Sequence, residues 1–233
     1  YGEYRIDGNY GGRIADDLFF AVAGFYRQGE GPRRIGYDGN QGGQVRVNIT
    51  KRFDNGFIRF FGKYLNDHAV GYLPNPVRVT GSNANPDYSN VPGFDINEDS
   101  LHSRYFTSAL SLDGSNNPRR YDIRDGQHPE VASFGFEADF EIADGWKVNN
   151  KFRFSDISGA FISPFPGSVD TASATAVGIG GAGSRLVYAN GPSAGQNVAA
   201  GQLVASVVLF NTRLNSLDNI TNDLRLTRDL STP

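Results

Sequence analysis

Apolar and polar residues alternate along this chain with a period of two. In residues 3–14, Tyr4, Ile6, Gly8, Tyr10, Gly12 and Ile14 share one side, and Glu3, Arg5, Asp7, Asn9 and Arg13 the other. A β-strand with one greasy and one polar face has this pattern. Residues 131–143 repeat it, with Ala132, Phe134, Phe136, Ala138, Phe140 and Ile142 against Ser133, Gly135, Glu137, Asp139 and Glu141. Residues 146–155 follow with Trp146, Val148, Phe152 and Phe154 against Lys147, Asn149, Lys151, Arg153 and Ser155. Further strands are predicted over 18–27, 44–53, 57–65 and 219–229, seven in all. The strand at 18–27 is ambiguous, because Phe19, Ala21, Ala23 and Phe25 make its supposed polar face apolar as well.

Hairpin turns must set greasy residues beside greasy ones, so the faces constrain the register. A three-residue loop at 143–145 places Ile142 beside Trp146, Phe140 beside Val148, Phe136 beside Phe152 and Phe134 beside Phe154. It also matches Glu141 to Lys147 and Glu137 to Lys151, opposite charges worth about 0.2 to 1 kcal/mol each. The same test predicts a two-residue Asn55-Gly56 turn of type I′, with Phe53 beside Ile58, Ile49 beside Gly62 and Val47 beside Tyr64. Residues 15–17 close a third hairpin, with Ile14 beside Leu18 and Tyr10 beside Val22.

The connections then alternate in length: the three turns are minimal, whereas 28–43, 66–131 and 156–218 are long. All the short ones fall at one end of the sheet. Together with strands of about ten residues alternating apolar-out and polar-in, this sorting is the signature of a transmembrane β-barrel of the outer-membrane type. A soluble β-sandwich has no reason to sort its loops so. Trp146 near a short turn and Tyr4, Tyr26 and Tyr64 toward the long loops would stand in the aromatic girdles. Because single-chain bacterial barrels have even strand numbers and no open edge, seven strands read as an arc of a larger barrel. The expected fold is therefore an all-β, antiparallel up-and-down meander with long extracellular loops.

Composition adds exclusions. The longest apolar run is Leu18 to Phe25, far short of a membrane-spanning helix. With Cys 0, disulfides and thiolate chemistry are excluded. Lys+Arg 22 against Asp+Glu 25, interspersed, argues against nucleic acid as a partner. Met 0 suggests a piece of a longer polypeptide.

The stretch GFYRQGEGPRRIGYDGNQGGQVRVNITKRFDNGFIRFFGKYLNDHAVGYLPNP, residues 24–76, resembles the early barrel strands and first extracellular loops of TonB-dependent outer-membrane receptors. NPRRYDIRDGQHP, residues 117–129, and the hairpin after it continue the likeness. The resemblance implies that residues 1–233 are part of a barrel of about 22 strands, plugged by an N-terminal domain that couples to the TonB–ExbB–ExbD complex. It implies uptake of a scarce solute across the outer membrane, with an oligosaccharide as first choice and a ferric siderophore as second. A passive porin-like channel is the further alternative. No cofactor and no catalysis are expected.

On that reading Arg5, Asp7, Arg46, Asn48, Glu137, Asp139, Lys151 and Arg153 face the lumen. Ligand recognition falls to the long loops, since loops on a rigid scaffold carry binding residues. The candidates are Arg33, Arg34, Tyr37 and Asp38 in the first loop, and Tyr72, Arg78, Asp87, Tyr88, Phe94 and Tyr105 in the second. Aromatic rings offer flat faces to sugars, and Arg and Asp bond hydroxyls. For any single one of these residues, loop packing is the commoner role.

Several patterns fail on context. Gly178, Gly180 and Gly183 fit G-x-G-x-x-G, but no acidic residue follows about 20 positions on, and a flexible Ser/Ala/Gly loop is the better reading. Asp95, Asn97 and Asp99 imitate the start of a calcium loop, yet Phe106 stands where the bidentate Glu belongs. His68, His102 and His128, each read as lying in a polar loop, are framed by no hydrolase or metalloprotease pattern, which argues against an enzyme, and no metal-ligating residues are assigned.

Overall fold

The computed structural model describes residues 2–230. Four strands follow one another as a meander: β1 (Glu3–Ala15), β2 (Leu18–Gly29), β3 (Asn40–Phe53) and β4 (Gly56–His68). The next connection carries two small hairpins, β5 (Arg78–Ser82) with β6 (Asn85–Ser89) and β7 (Ser108–Leu112) with β8 (Pro118–Asp122), then a single 3-10 turn at 123–125. The meander resumes with β9 (Gln127–Ala143) beside β4 and β10 (Trp146–Thr171) beside β9. A short helix, α1 (Ala172–Gly180), crosses the far end before β11 (Leu203–Leu214) and β12 (Asn219–Arg228).

β11 and β12 are two halves of one returning strand, because both pair antiparallel with β10, along residues 159–171 and 146–155 respectively. At the break, Leu217 N–H donates to the Ile157 carbonyl at 2.7 Å and Ile157 N–H donates to Asp218 Oδ1 at 2.9 Å. The backbone groups of β10 thus stay paired through the irregularity. The sheet is all antiparallel, in sequence order, and open: β1 and β11–β12 form its two edges among the described residues.

The register carries one apolar face across every strand. One row runs Tyr10, Val22, Val47, Gly62, Phe134, Phe154 and Ile220, and the next Gly12, Phe20, Ile49, Phe60, Phe136, Phe152 and Asn222. No second layer of the described chain covers it: Tyr10 is 69% exposed, Phe60 61%, Phe134 60% and Ile220 68%. A sandwich closed within these residues is therefore not what the chain builds. The opposite face is polar, with Arg59 and Lys151 flanking Glu137 at 3.3 and 3.1 Å and Arg27 paired to Asp67 at 2.6 Å. The apolar residues of β2 on that face are roofed by cations, the Arg52 guanidinium 4.7 Å from the Phe19 ring and that of Arg5 4.1 Å from Phe25. That arrangement resolves the ambiguity of β2 without a second greasy side.

The greasy face has a polar margin. Past Tyr26 and Tyr64, the same side of the sheet carries Gln28, Gln41, Asn66, His68 and Glu130. The tyrosine hydroxyls mark the line: Tyr26 Oη donates to Gln28 Oε1 at 3.3 Å, and Tyr64 Oη accepts from Asn66 Nδ2 at 3.5 Å. From Gly56 to Tyr64 the strand advances about 27 Å at ~3.4 Å per residue.

The structure corrects several local expectations. The turn after β3 is Asp54-Asn55, so Phe53 pairs with Gly56, Ile49 with Phe60 and Val47 with Gly62, two residues out from the expected register. Gly56 is needed for packing rather than for turn conformation. A Cβ there would run into the Asp139 carbonyl oxygen and lie 2.8 Å from Phe140 Cδ1. Asn55 is held to β9 instead, its carbonyl accepting from Glu141 N–H at 2.8 Å and its Nδ2 donating to the Glu141 carbonyl at 3.0 Å. In the other two hairpins Ala15 pairs with Leu18 and Ala143 with Trp146, leaving Ile14 and Ile142 bulged out of the expected pairs. Gly145 at φ 69° supplies the left-handed residue of such a turn. Beyond each bulge the expected register holds, including Tyr10 with Val22, Phe136 with Phe152 and Glu137 with Lys151.

The long connections are shorter and more ordered than expected, because the strands continue past the apolar rows. β10 runs to Thr171, and β11 returns from Leu203, through what reads as loop in the sequence. The glycine pattern at 178–183 is not a flexible loop. Thr171 caps α1, its Oγ1 accepting from Ala174 N–H at 3.2 Å, and Gly181 at φ 82° ends it.

Candidate functional site

The loop end of the sheet holds the buried core of the molecule. Ile35, Tyr121, Ile123 and Ile162 are buried there, with His102 and Ser163 among them. The first loop (30–39) and the second (69–126) are clamped together by arginines. Arg33 Nη1 donates to the carbonyls of Ile96 and Asp99, and its guanidinium lies over the Tyr72 ring at 5.7 Å. Arg34 pairs with Glu98, and its backbone N–H donates to the Glu98 carbonyl at 2.8 Å. Asp95 and Asp99 are spent on their own turn: Asp99 Oδ2 accepts from Asp95 N–H at 2.8 Å and Asp95 Oδ1 from Asn97 N–H at 2.9 Å. This use of the carboxylates explains the calcium-like spacing without a cation.

His102 is the hub of this core. Its Nδ1 is 3.2 Å from Tyr37 Oη and its Nε2 3.4 Å from Ser163 Oγ, which in turn donates to the Gly71 carbonyl at 2.5 Å. The Tyr72 ring meets it edge-on at 5.7 Å. Burial pushes the His102 imidazole down to about 4 and the Tyr37 phenol up, so both are neutral at pH 7.

Beside this hub opens a cavity of about 310 Å³ lined by Tyr37, Asp38, Gln41, His68, Asp122, Arg124 and Asp125. Its lining is polar, as a site for a hydroxyl-rich or charged ligand must be. Asp38 accepts from Gln28 Nε2 at 2.7 Å. Asp122 takes two bonds from Arg124, at 2.9 and 2.7 Å, and that guanidinium holds the carboxyl below its ordinary range. His68, which lines this cavity, stacks on His128 behind it, ring centroids 3.5 Å apart. Asp125 completes a group whose ligand atoms all lie within 4.8 Å of one another.

The ten sequence candidates separate accordingly. Tyr37 and Asp38 line the cavity; Arg33, Arg34 and Tyr72 knit the loops beneath it. Arg78, Asp87 and Tyr88 stand on the exposed β5–β6 hairpin, with Tyr88 65% exposed. Phe94 closes a turn, its N–H donating to the Val91 carbonyl at 2.9 Å. Tyr105 packs over Gly191, and its carbonyl accepts from Asn190 Nδ2 at 2.6 Å. The ten therefore do not converge on one pocket. The histidines depart furthest from expectation: His68 ends β4, His128 lies in β9 and His102 is buried, so none sits in an open polar loop. His68 and His128 are sixty residues apart in sequence, and only the β4–β9 register unites them; Gln41, Asp122, Arg124 and Asp125 left no signal of their own. Compared with models of known families, with curated proteins and with solved structures, the chain shows no match.

Proposed function

We propose that this chain is an arc of an outer-membrane β-barrel receptor that takes up a scarce solute by TonB-coupled transport, an oligosaccharide being the first choice of cargo. The observation that carries the reading is the apolar face that crosses the whole sheet without a covering layer and ends at a tyrosine-marked polar margin. Inclined at ~40°, the roughly 27 Å of greasy strand would stand about 21 Å tall, near the ~25 Å apolar band of such barrels. The loops add support, because the minimal turns share one end and the folded connections the other. Two open edges suit an arc whose missing strands complete the ring.

On this reading acyl chains touch the phenylalanine rows, while Glu137, Lys151, Arg59 and Arg27 look into a wet lumen and toward a plug. The exposed β5–β6 hairpin presents polar and aromatic groups to a solute arriving from outside, whereas the cavity lined by Tyr37 and Asp38 opens on the side of the sheet that carries Gln41 and His68, beyond the greasy rows. Work would come from the TonB–ExbB–ExbD complex acting through a plug outside this sequence. The chain's own residues bind and line the path; they perform no bond chemistry.

This chain lacks cysteine; with any cysteines elsewhere in the intact protein replaced by serine, single introduced cysteines report cleanly. In the intact protein in cells, Phe134→Cys and Phe60→Cys should resist a water-soluble maleimide and be quenched by lipid-phase nitroxides once labelled, and Arg153→Cys should do the reverse. Equal aqueous labelling of both faces would sink the membrane reading. Uptake by a deletion strain then decides the cargo: lost iron acquisition with normal sugar growth would replace the saccharide by a siderophore. Solute flux persisting without TonB would indicate a porin-like channel.

A further inference from the structure

The geometry points to a divalent transition-metal site formed by His68, His128 and Asp125 at the edge of the loop-end cavity, which His68 and Asp125 line. The site stands on side-chain geometry alone and does not depend on the transport reading. Imidazole and carboxylate together suit Zn²⁺, Ni²⁺ or Cu²⁺ rather than Mg²⁺ or Ca²⁺, which take oxygen ligands.

Three observations converge. First, His68 and His128 come from neighbouring antiparallel strands with ring centroids 3.5 Å apart; stacked rings aim their in-plane lone pairs side by side, and a turn of the His68 ring about its χ2 would point a nitrogen of each at one ion. Their ligand atoms and that of Asp125 already lie within 4.8 Å of one another. Tetrahedral ligation at ~2.0 to 2.1 Å needs separations of about 3.3 Å, so binding requires that turn of His68 together with a closer approach of Asp125. Second, the His128 ring is oriented from behind. Its Nε2 bonds Asn66 Oδ1 at 3.0 Å, and Asn66 Nδ2 donates to Glu130 Oε1 at 2.9 Å. That chain fixes the tautomer with the lone pair on Nδ1, the support that metal-binding histidines characteristically have. Third, the site opens on the 310 Å³ cavity, where Asp38 and Asp122 stand near and a fourth position can be filled by water or a ligand donor.

Two arginines oppose it: Arg124, which lines the same cavity and feels the charge of Asp125, and Arg213. Arg213 Nη2 donates to Asp125 Oδ2 at 3.0 Å, engaging one carboxylate oxygen and leaving Oδ1 for the ion. Its positive charge lowers affinity for a cation, so the site binds with moderate strength and Arg213 sets the level. Metal at this position ties β4, β9 and the end of the second loop together, and offers a Lewis-acidic anchor to a solute carrying a carboxylate or vicinal hydroxyls.

The test is titration of the intact purified protein with ZnCl2 and with CoCl2, reading heat and the cobalt d–d absorption. One equivalent should bind, with absorption typical of four-coordinate nitrogen and oxygen ligation. His68→Ala and His128→Ala should each weaken binding by at least about tenfold. Asn66→Ala, which touches no metal, should weaken it about 10- to 100-fold, and Arg213→Gln should tighten it. Circular dichroism of each variant checks that the sheet is retained, and Asn66→Ala and Arg213→Gln keep the test decisive should a histidine variant fold poorly. Unchanged affinity in the His68→Ala/His128→Ala double variant, or no binding at millimolar metal, overturns the site. Either result leaves the maleimide test of the membrane face untouched.

Discussion

Phe136 and Phe152 face each other across β9 and β10 with ring centroids 5.7 Å apart, and Phe60 flanks Phe136 from β4 at 6.3 Å. Three adjacent strands thus present an unbroken aromatic row on a side with no covering layer. If that row meets lipid, Phe136→Arg should lower the yield of assembled protein in the outer membrane, because a charge near the midplane costs about 2 to 4 kcal/mol. The fraction of heat-modifiable protein in outer-membrane preparations measures it, and normal assembly would show the faces reversed.

Gly135 and Gly62 are neighbours across the same sheet with opposite tolerances. A Cβ on Gly135 would run into the Phe152 carbonyl and lie 2.7 Å from Phe61 Cζ, whereas one on Gly62 would meet Val47 Cγ2 at 3.5 Å, an ordinary contact. Gly135→Ala should destabilise by about 1 to 3 kcal/mol, and Gly62→Ala should be neutral or slightly stabilising, since alanine restricts the unfolded chain. Urea unfolding of both variants compares them; equal losses would refute the close approach at Gly135.

Arg27 bonds Asp67 through two nitrogens at 2.9 and 2.6 Å, with both side chains largely covered. Asp67→Asn should therefore cost about 1 to 3 kcal/mol. Replacing both partners by Met and Leu should recover most of it, because no lone charge is left behind. A double-mutant cycle gives the coupling, and a value near zero would reduce the pair to a surface ornament.

The loop module should loosen in acid. Burial depresses the His102 pKa to about 4, from 6.5 in an unfolded chain. Below 6.5 the unfolded state takes up a proton that the folded state refuses, so the stabilisation is full above pH 6.5 and falls away toward pH 4. The loss is about 3 kcal/mol at most at ~1.36 kcal/mol per pKa unit. Proteolysis of the loops should rise between pH 7 and 4.5, and His102→Gln should flatten that dependence; a variant as acid-sensitive as the parent would assign the effect elsewhere.

Recognition and loop architecture should also separate by mutation. If the chain is part of a solute receptor, Tyr88→Ala on the exposed hairpin should leave protease resistance unchanged while reducing solute uptake; Arg33→Ala, which breaks the clamp to residues 96 and 99, should open the loops to protease. The reverse assignment of the two phenotypes would contradict the division of roles.

Local sequence was enough for the alternation of faces, the ends at which the chain turns, and the matching of Glu137 to Lys151, because side chains on a strand point alternately to its two sides whatever surrounds it. It stopped short at the turn after β3, where β9 packing on Gly56 overrode a dipeptide that by itself favours a type I′ turn. The helix after Thr171 had a cap and three alanines to announce it, outweighed by its glycines. Only the tertiary structure decided that His68, Asp125 and His128 meet, that the second loop folds onto the first, and that β11 continues β12. Those contacts join residues tens of positions apart, and such pairings depend on sheet register and loop closure, which no local pattern encodes.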